Sequence, residues 1–182
     1  MSRRQKIGSR ASFIATKPMK LWVTDVTEHP TREGKVYCAV VLDAWSRRVI
    51  GWSIDGRPTT ALVTNALGMA IEQRRPNRRT IIHSDQGTQF TSWAFTRRAL
   101  DSGLLPSMGS VGDCFDNAVM ESFWSRVQVE LLDRKRWRTR VELANAIFDY
   151  LEIFHNRQRR HSSLGMLTPF EFEACSRPTT AA

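Results

Sequence analysis

Residues 21–55 read LWVTDVTEHPTREGKVYCAVVLDAWSRRVIGWSID, and the fold turns on how this stretch is parsed. Leu21 to Thr27 is rich in β-formers and is followed by His29-Pro30, which predicts a first strand closed by the proline. Val36 to Leu42 is nearly continuously apolar, as a strand covered on both faces would be. Asp43-Ala44-Trp45-Ser46 predicts a turn. From Arg48 to Ile54 the residues alternate, with Ile50, Trp52 and Ile54 on one face. Three strands joined by short connections predict an antiparallel meander.

Downstream the period changes. After Thr59-Thr60, Leu62, Val63, Ala66, Leu67, Ala70 and Ile71 recur at helical spacing until Pro76. Thr80 to His83 is a short strand, Ser92 to Ser102 a helix closed by Gly103, and Leu104 to Met108 another strand. A glycine-punctuated loop covers 109–112, and a helix follows from Asp116 to Leu132. Thr139-Arg140-Val141-Glu142 is a capping box that opens a helix with Leu143, Ile147, Tyr150 and Phe154 on one face. The order βββαβαβαα predicts a mixed α/β sheet, a three-strand meander followed by parallel strands, flanked by helices.

The chain is 182 residues long, enough for one domain with a sizeable core. No apolar run approaches the ~18–20 residues of a membrane span, and no apolar signal core follows Arg3, Arg4 and Lys6. Cys38, Cys114 and Cys175 are far apart, odd in number and lack C-x-x-C spacing, which fits a reduced cytosolic chain rather than a disulfide scaffold or zinc finger. Lys and Arg total 27 against 18 acids, net +9, and residues 1–20 hold six basic residues and no acid. Residues 1–18 therefore predict a basic, flexible arm, 19–173 the domain, and 174–182 a disordered tail. Further basic clusters at 74–79, 134–140 and 157–160 point to a polyanionic partner, since each neutralised phosphate releases counterions.

Three acids stand out by position. Asp25 lies in the first strand on the face of Leu21 and Val23, where an isolated carboxylate needs a partner or a cation. Asp85 directly follows a strand end, where open α/β sheets place ligand-binding groups. Glu121 lies one turn inside a helix. Three carboxylates from a strand, a neighbouring strand end and a crossing helix would form an oxygen-only site suited to Mg²⁺ or Mn²⁺. Two such ions stabilise both the attacking and leaving oxygens of a phosphoryl displacement.

Several motifs in order resemble one family. W-V-T-D at 22–25, S-R-R-x-I-G-W at 46–52, H-S-D-x-G-x-Q-F at 83–90, S-M-G-S-V-G-D at 107–113 and D-N-A-x-x-E-S-F at 116–123 are similar to insertion-sequence transposases of the "IS-three" group, second reading frame. So are H-N-x-x-R-R-H-S-S-L-G at 155–165 and P-F-E-F-E at 169–173. The resemblance covers about residues 19–173, with 35 residues between Asp85 and Glu121. It implies a ribonuclease-H-like fold related to retroviral integrases and a metal-binding DDE triad of Asp25, Asp85 and Glu121. It further implies DNA strand cleavage and strand transfer during transposition, with Mg²⁺ or Mn²⁺, a homo-oligomer on DNA, and an upstream helix-turn-helix domain or protein. The implied setting is the bacterial cytoplasm, at the nucleoid.

Other marked residues carry two readings each. His83 could face the site or satisfy a strand end, and Gly87 suits a tight turn after Asp85. Gln89 is a candidate DNA contact, and Asn117 either caps the helix of Glu121 or touches DNA. Arg157, Arg159, Arg160 and His161 are candidate backbone contacts by resemblance, or a solvated helix end. Trp22, Trp45, Trp52 and Trp124 read as core rather than stacking platforms. The resemblance also shows a departure: where the family carries Lys or Arg seven residues after the catalytic Glu, this chain has Gln128, a candidate DNA contact that can hydrogen-bond a phosphate or base but brings no charge. That substitution leaves a rival reading open, a catalytically inactive, truncated remnant that only binds DNA.

Overall fold

The computed structural model describes residues 21–76, 79–85, 87–108 and 114–176, the side chains of 114–117 excepted. The expected arm at 1–18, the loop at 109–113 and residues 177–182 lie outside the described residues. Strand β1 (Leu21–Thr31) pairs antiparallel with β2 (Gly34–Asp43), and β2 pairs antiparallel with β3 (Val49–Asp55). The chain then forms helix α1 (Thr60–Arg74), strand β4 (Ile81–Ser84), helix α2 (Trp93–Asp101) and strand β5 (Leu105–Met108). β4 lies parallel to β1, and β5 parallel to β4, giving the sheet order β3-β2-β1-β4-β5. This is the mixed α/β sheet that the meander and the later change of period predict.

Alternation along the strands sorts side chains into two cores. Val23, Val36, Cys38, Val40 and Leu42 face one layer, formed by α3 (Cys114–Glu130), α4 (Arg140–Asp149) and the segment after it. Trp22, Ala39, Val41 and Ile50 face the other, formed by α1 and α2. β2 is thus covered on both sides, which is why its sequence is continuously apolar. Thr59 caps α1 by accepting a hydrogen bond from the Leu62 amide.

Helix α1 sits unusually close to the sheet at Gly51, where an added Cβ would stand 2.2 Å from the Ala66 carbonyl and 2.8 Å from the Ala70 amide. Backbone cannot yield as a flexible side chain would. Gly51→Ala is expected to cost about 1–3 kcal/mol by overpacking. Thermal denaturation checks this: a melting temperature equal to wild type would mean that α1 is free to shift.

Besides Ile50, which the register shift at Val41/Leu42 turns away from Trp52 and Ile54 to the α1 side, two local expectations are corrected. β1 does not end at His29-Pro30 but runs to Thr31, with Pro30 opposite Lys35. Among the described residues β4 pairs only with Leu21–Thr24 and nothing else pairs with the far half of β1 on that side, so the missing amide of Pro30 breaks no ladder there. Secondly, Thr139 caps α4 by accepting from the Glu142 amide, but the Glu142 carboxylate turns to the Arg138 amide and Lys135 rather than closing the box. α4 continues into a π-helical segment, Tyr150–Gln158, whose wider turn buries Leu151, His155 and Asn156 and leaves Phe154 exposed. A final helix, α5 (Pro169–Cys175), opens with a complete capping box of Thr168 and Glu171. No helix among the described residues is long and apolar enough to cross a membrane.

Candidate active site

The parallel register of β1 and β4 sets Thr24 opposite Ser84. Asp25 and Asp85 are the next residues in each strand direction, so the register brings them side by side although 60 positions separate them in sequence. α3 packs over the same end of the sheet and carries the third acid. Asp25, Asp85 and Glu121 line one cleft of about 460 Å³, together with Thr24, His83 and Trp124.

Asp25 is half-buried, and its Oδ2 accepts a hydrogen bond from Trp124 Nε1 at 3.1 Å. Burial raises its pKa above the ordinary carboxylate value. The neighbouring Asp85 charge adds to the rise, while the Val26 amide and the Trp124 indole pull it back. Asp85 and Glu121 are exposed at the rim. Asp85 Oδ1 accepts from the Gly87 amide at 3.0 Å, and a Cβ on Gly87 would stand 2.9 Å from that oxygen. The glycine therefore keeps space for the carboxylate.

The donor set is oxygen-rich, as a hard divalent cation requires. The Thr24 hydroxyl, buried without a hydrogen-bond partner, also borders the cleft. Among the described residues no three acid, histidine or cysteine side chains stand close enough to ligate one ion. The acids ring the cleft instead of meeting at a point.

The candidate DNA contacts have varied surroundings. Gln89 sits beside Asp25 and Asp85 in an adjoining hollow and donates to the Pro58 carbonyl at 3.2 Å. Gln128 donates to Asp133 on the short turn after α3. The Asn117 side chain lies outside the described residues. Arg157 is exposed and stacks on Phe170, 4.2 Å from the ring centre, while exposed Arg160 donates to the Met166 carbonyl. Arg159 is committed to Glu130 through two nitrogens at 2.7–3.0 Å. That pair holds Glu130 below its ordinary value, with burial opposing and Tyr150 assisting. His161 is buried, at 3% exposure.

The first two residues of the 155–165 motif are structural. Asn156 accepts from the Val49 amide and donates to the Val49 carbonyl, both at 2.9 Å, so its amide acts as a strand neighbour for the start of β3. His155 Nε2 bonds the Arg47 carbonyl at 2.8 Å. Trp124, read from sequence as core, is half-buried and orients Asp25; its place three residues after Glu121, one turn along the same helix, was the available signal. Trp22 is fully buried, and Trp45 and Trp52 are half-buried.

Comparisons with known proteins agree with this arrangement. Residues 15–114 and 102–169 match two family models, each described as an integrase core domain. The chain is 38% identical over 161 residues to the transposase for insertion sequence element IS904 of Lactococcus lactis, covering 88% of this chain and 64% of that protein. It is 40% identical over 161 residues to transposase InsF for insertion sequence IS3A of Escherichia coli K12, covering 88% of this chain and 56% of that protein. The chain thus spans less than two thirds of the length of these relatives. In fold it is similar to the catalytic core domain of BIV integrase, with a TM-score of 0.61, 21% identity, and coverage of 87% of this chain and 95% of that one. It is also similar to a chain of the simian T-cell lymphotropic virus intasome, with a TM-score of 0.68, 16% identity, and coverage of 91% and 57%. With matched residues running from 15 to 169 and a sheet shared with retroviral cores, this chain belongs to the integrase core domain family.

Proposed function

We propose that this chain is the catalytic core of an insertion-sequence transposase, a DDE-type polynucleotidyl transferase that cuts and joins DNA strands. The observation that carries the reading is the Thr24–Ser84 register, which pairs Asp25 with Asp85 in a cleft that Glu121 completes. Asp25, Asp85 and Glu121 would hold Mg²⁺ or Mn²⁺, two ions in all. When bound, the metal supplies activation of the attacking oxygen and charge stabilisation of the leaving one. The protein's own part is to hold the carboxylates: Trp124 fixes the rotamer of Asp25, and the Gly87 amide orients Asp85. The surplus of Lys and Arg over acids supplies the attraction for the DNA backbone.

The same reading includes a homo-oligomer assembled on element ends and target DNA, an upstream helix-turn-helix reader, and action at the bacterial nucleoid in the cytoplasm. The likeness to named transposases over most of the chain supports it. The test is incubation with Mn²⁺ and either a duplex bearing the element's terminal repeats or an RNA–DNA hybrid. Cutting and joining of the duplex is expected; cleavage confined to the hybrid would make the chain a ribonuclease instead.

A second expectation concerns stability. Saturating Mn²⁺ is expected to raise the melting temperature of the wild-type chain, because a ligand bound only by the native state stabilises it. Asp25→Asn with Asp85→Asn is expected to remove that effect. Because folding raises the Asp25 pKa, its ionised form costs native stability once the pH exceeds the ordinary 3.8, and the cost vanishes below it. Without metal at neutral pH the double variant should therefore be at least as stable as wild type, with the difference closing in acid. Calorimetry over pH 3–7 reads both effects, and a double variant that keeps the Mn²⁺ response would place the ion elsewhere.

A further inference from the structure

A second pocket, of about 240 Å³, lies across α3 from the acidic cleft. Glu121 and Trp124 line the cleft, while Ser122 and Arg126, one turn apart on the same helix, line the pocket. Its other polar walls are Arg47, His155, His161 and Ser163, and among the described residues no carboxylate lines it.

Arg47 is a non-glycine residue with φ of 60°, in the left-handed region that side chains rarely adopt. The conformation is held at both ends, by the Arg47 amide donating to the Asp43 carbonyl at 2.8 Å and by His155 on the Arg47 carbonyl. Strain of this kind persists where surrounding contacts impose it, and here they hold Arg47 on the pocket wall. On the other wall His161 is buried, and its Nε2 has no hydrogen-bond partner. An orphaned buried nitrogen is destabilising unless something satisfies it.

We propose that this pocket is a receptor for a phosphate-class oxyanion, bound between Arg47 and Arg126, with the Ser122 and Ser163 hydroxyls and His161 Nε2 as further hydrogen-bond partners. Two guanidiniums and two hydroxyls match a tetrahedral group with several acceptor oxygens. The electrostatics agree. Burial first, then neighbouring cations, push His161 down to about 3, and burial does most to bring His155 to about 4. Burial and Arg126 likewise depress Arg47. The two histidines stand neutral beside Arg47 and Arg126, whose mutual repulsion an anion would relieve.

The source is a DNA phosphodiester or free orthophosphate. Naming DNA rests on the functional reading above; the pocket itself does not. In the DNA case the site would grip the strand on the far side of α3 from the reacting bond, about one helix diameter of ~10 Å away.

The experiment titrates orthophosphate into the protein in metal-free buffer, with sodium chloride at matched ionic strength as control. Heat of binding and a rise of several degrees in melting temperature are expected for wild type, and equally for Asp25→Asn with Asp85→Asn. Failure of the catalytic reading therefore leaves this result untouched. Arg126→Gln and Ser163→Ala alter exposed side chains, so their fold is expected to stand. Arg126→Gln should weaken phosphate about tenfold or more, the cost of one charge-assisted hydrogen bond. If DNA is the source, a short metal-free duplex displaces the phosphate and Arg126→Gln lowers the salt slope of duplex binding by about one. If free phosphate is the source, saturating duplex leaves phosphate binding unchanged. Absence of heat and of any thermal shift beyond the chloride control overturns the proposal, as does phosphate binding unaltered in both Arg126→Gln and Ser163→Ala.

Discussion

Asp85→Asn, Asp25→Asn or Glu121→Gln, each made singly, is expected to abolish DNA strand cleavage and joining, lowering the rate by about 10³-fold or more. The amide keeps the shape of each side chain but removes the charge that a divalent cation needs, and several kcal/mol of transition-state stabilisation leave with the metal. The fold should survive. Asp85 and Glu121 are exposed, and Asp25 gives up a charge that folding disfavours. Trp124→Phe is a graded companion, since it frees the Asp25 carboxylate without removing it. It should lower the rate less and raise the Mn²⁺ concentration needed for half-activity. Gel assays of cleavage and strand transfer, with melting curves on the same samples, check the set. Full activity in any of the three acid variants would remove that residue from the site.

Glu173→Ala is expected to be the most destabilising single change, at about 3–5 kcal/mol. Glu173 reaches back from α5 and is buried, with 8% side-chain exposure. It accepts from Arg48 at 2.8 Å and from Arg74 at the end of α1. Arg74 also lies 3.7 Å from Asp43, whose side chain is fully buried. Removing the glutamate leaves two largely buried guanidiniums, with Asp43 as the remaining carboxylate beside Arg74. Burial works to raise the Glu173 pKa, but hydrogen bonds from Arg74, Ser46 and Arg48 bring it below its ordinary 4.5. Its contribution is therefore present above that value and lost as pH falls through the lowered one. Asp43 runs the other way: burial, its largest influence, raises its pKa despite Arg74. The stability gap between wild type and Glu173→Gln should accordingly shrink in acid. Urea denaturation at pH 7 and near pH 3 reads this, and a loss below 1 kcal/mol at pH 7 would mean that the network is no brace.

The network shows why part of the molecule could not be read along the chain. P-F-E-F-E at 169–173 carries no mark that distinguishes Glu173 from Glu171, yet one is buried among arginines from residues 48 and 74 and the other caps its own helix. The Arg157–His161 stretch is a similar case. Four basic side chains in a row of five look equivalent as charges. The fold ties Arg159 to Glu130, buries His161, and leaves Arg157 and Arg160 exposed. Ion pairing and burial depend on what arrives from elsewhere in the chain, so local composition carries no record of them.

What the sequence determined by itself is the set of parts: three meander strands, the helix between Thr59 and Pro76, and a carboxylate at the end of the fourth strand. These follow from periods of two and 3.6 residues, from turn chemistry and from proline, all of which act within a few residues. Only the tertiary structure decided that Asp25 and Asp85 are neighbours, because that depends on a parallel pairing across a helical crossover. Pairing of this kind is selected by burying Trp22 and Val23 on opposite faces of one sheet, a choice made by packing rather than by any local segment.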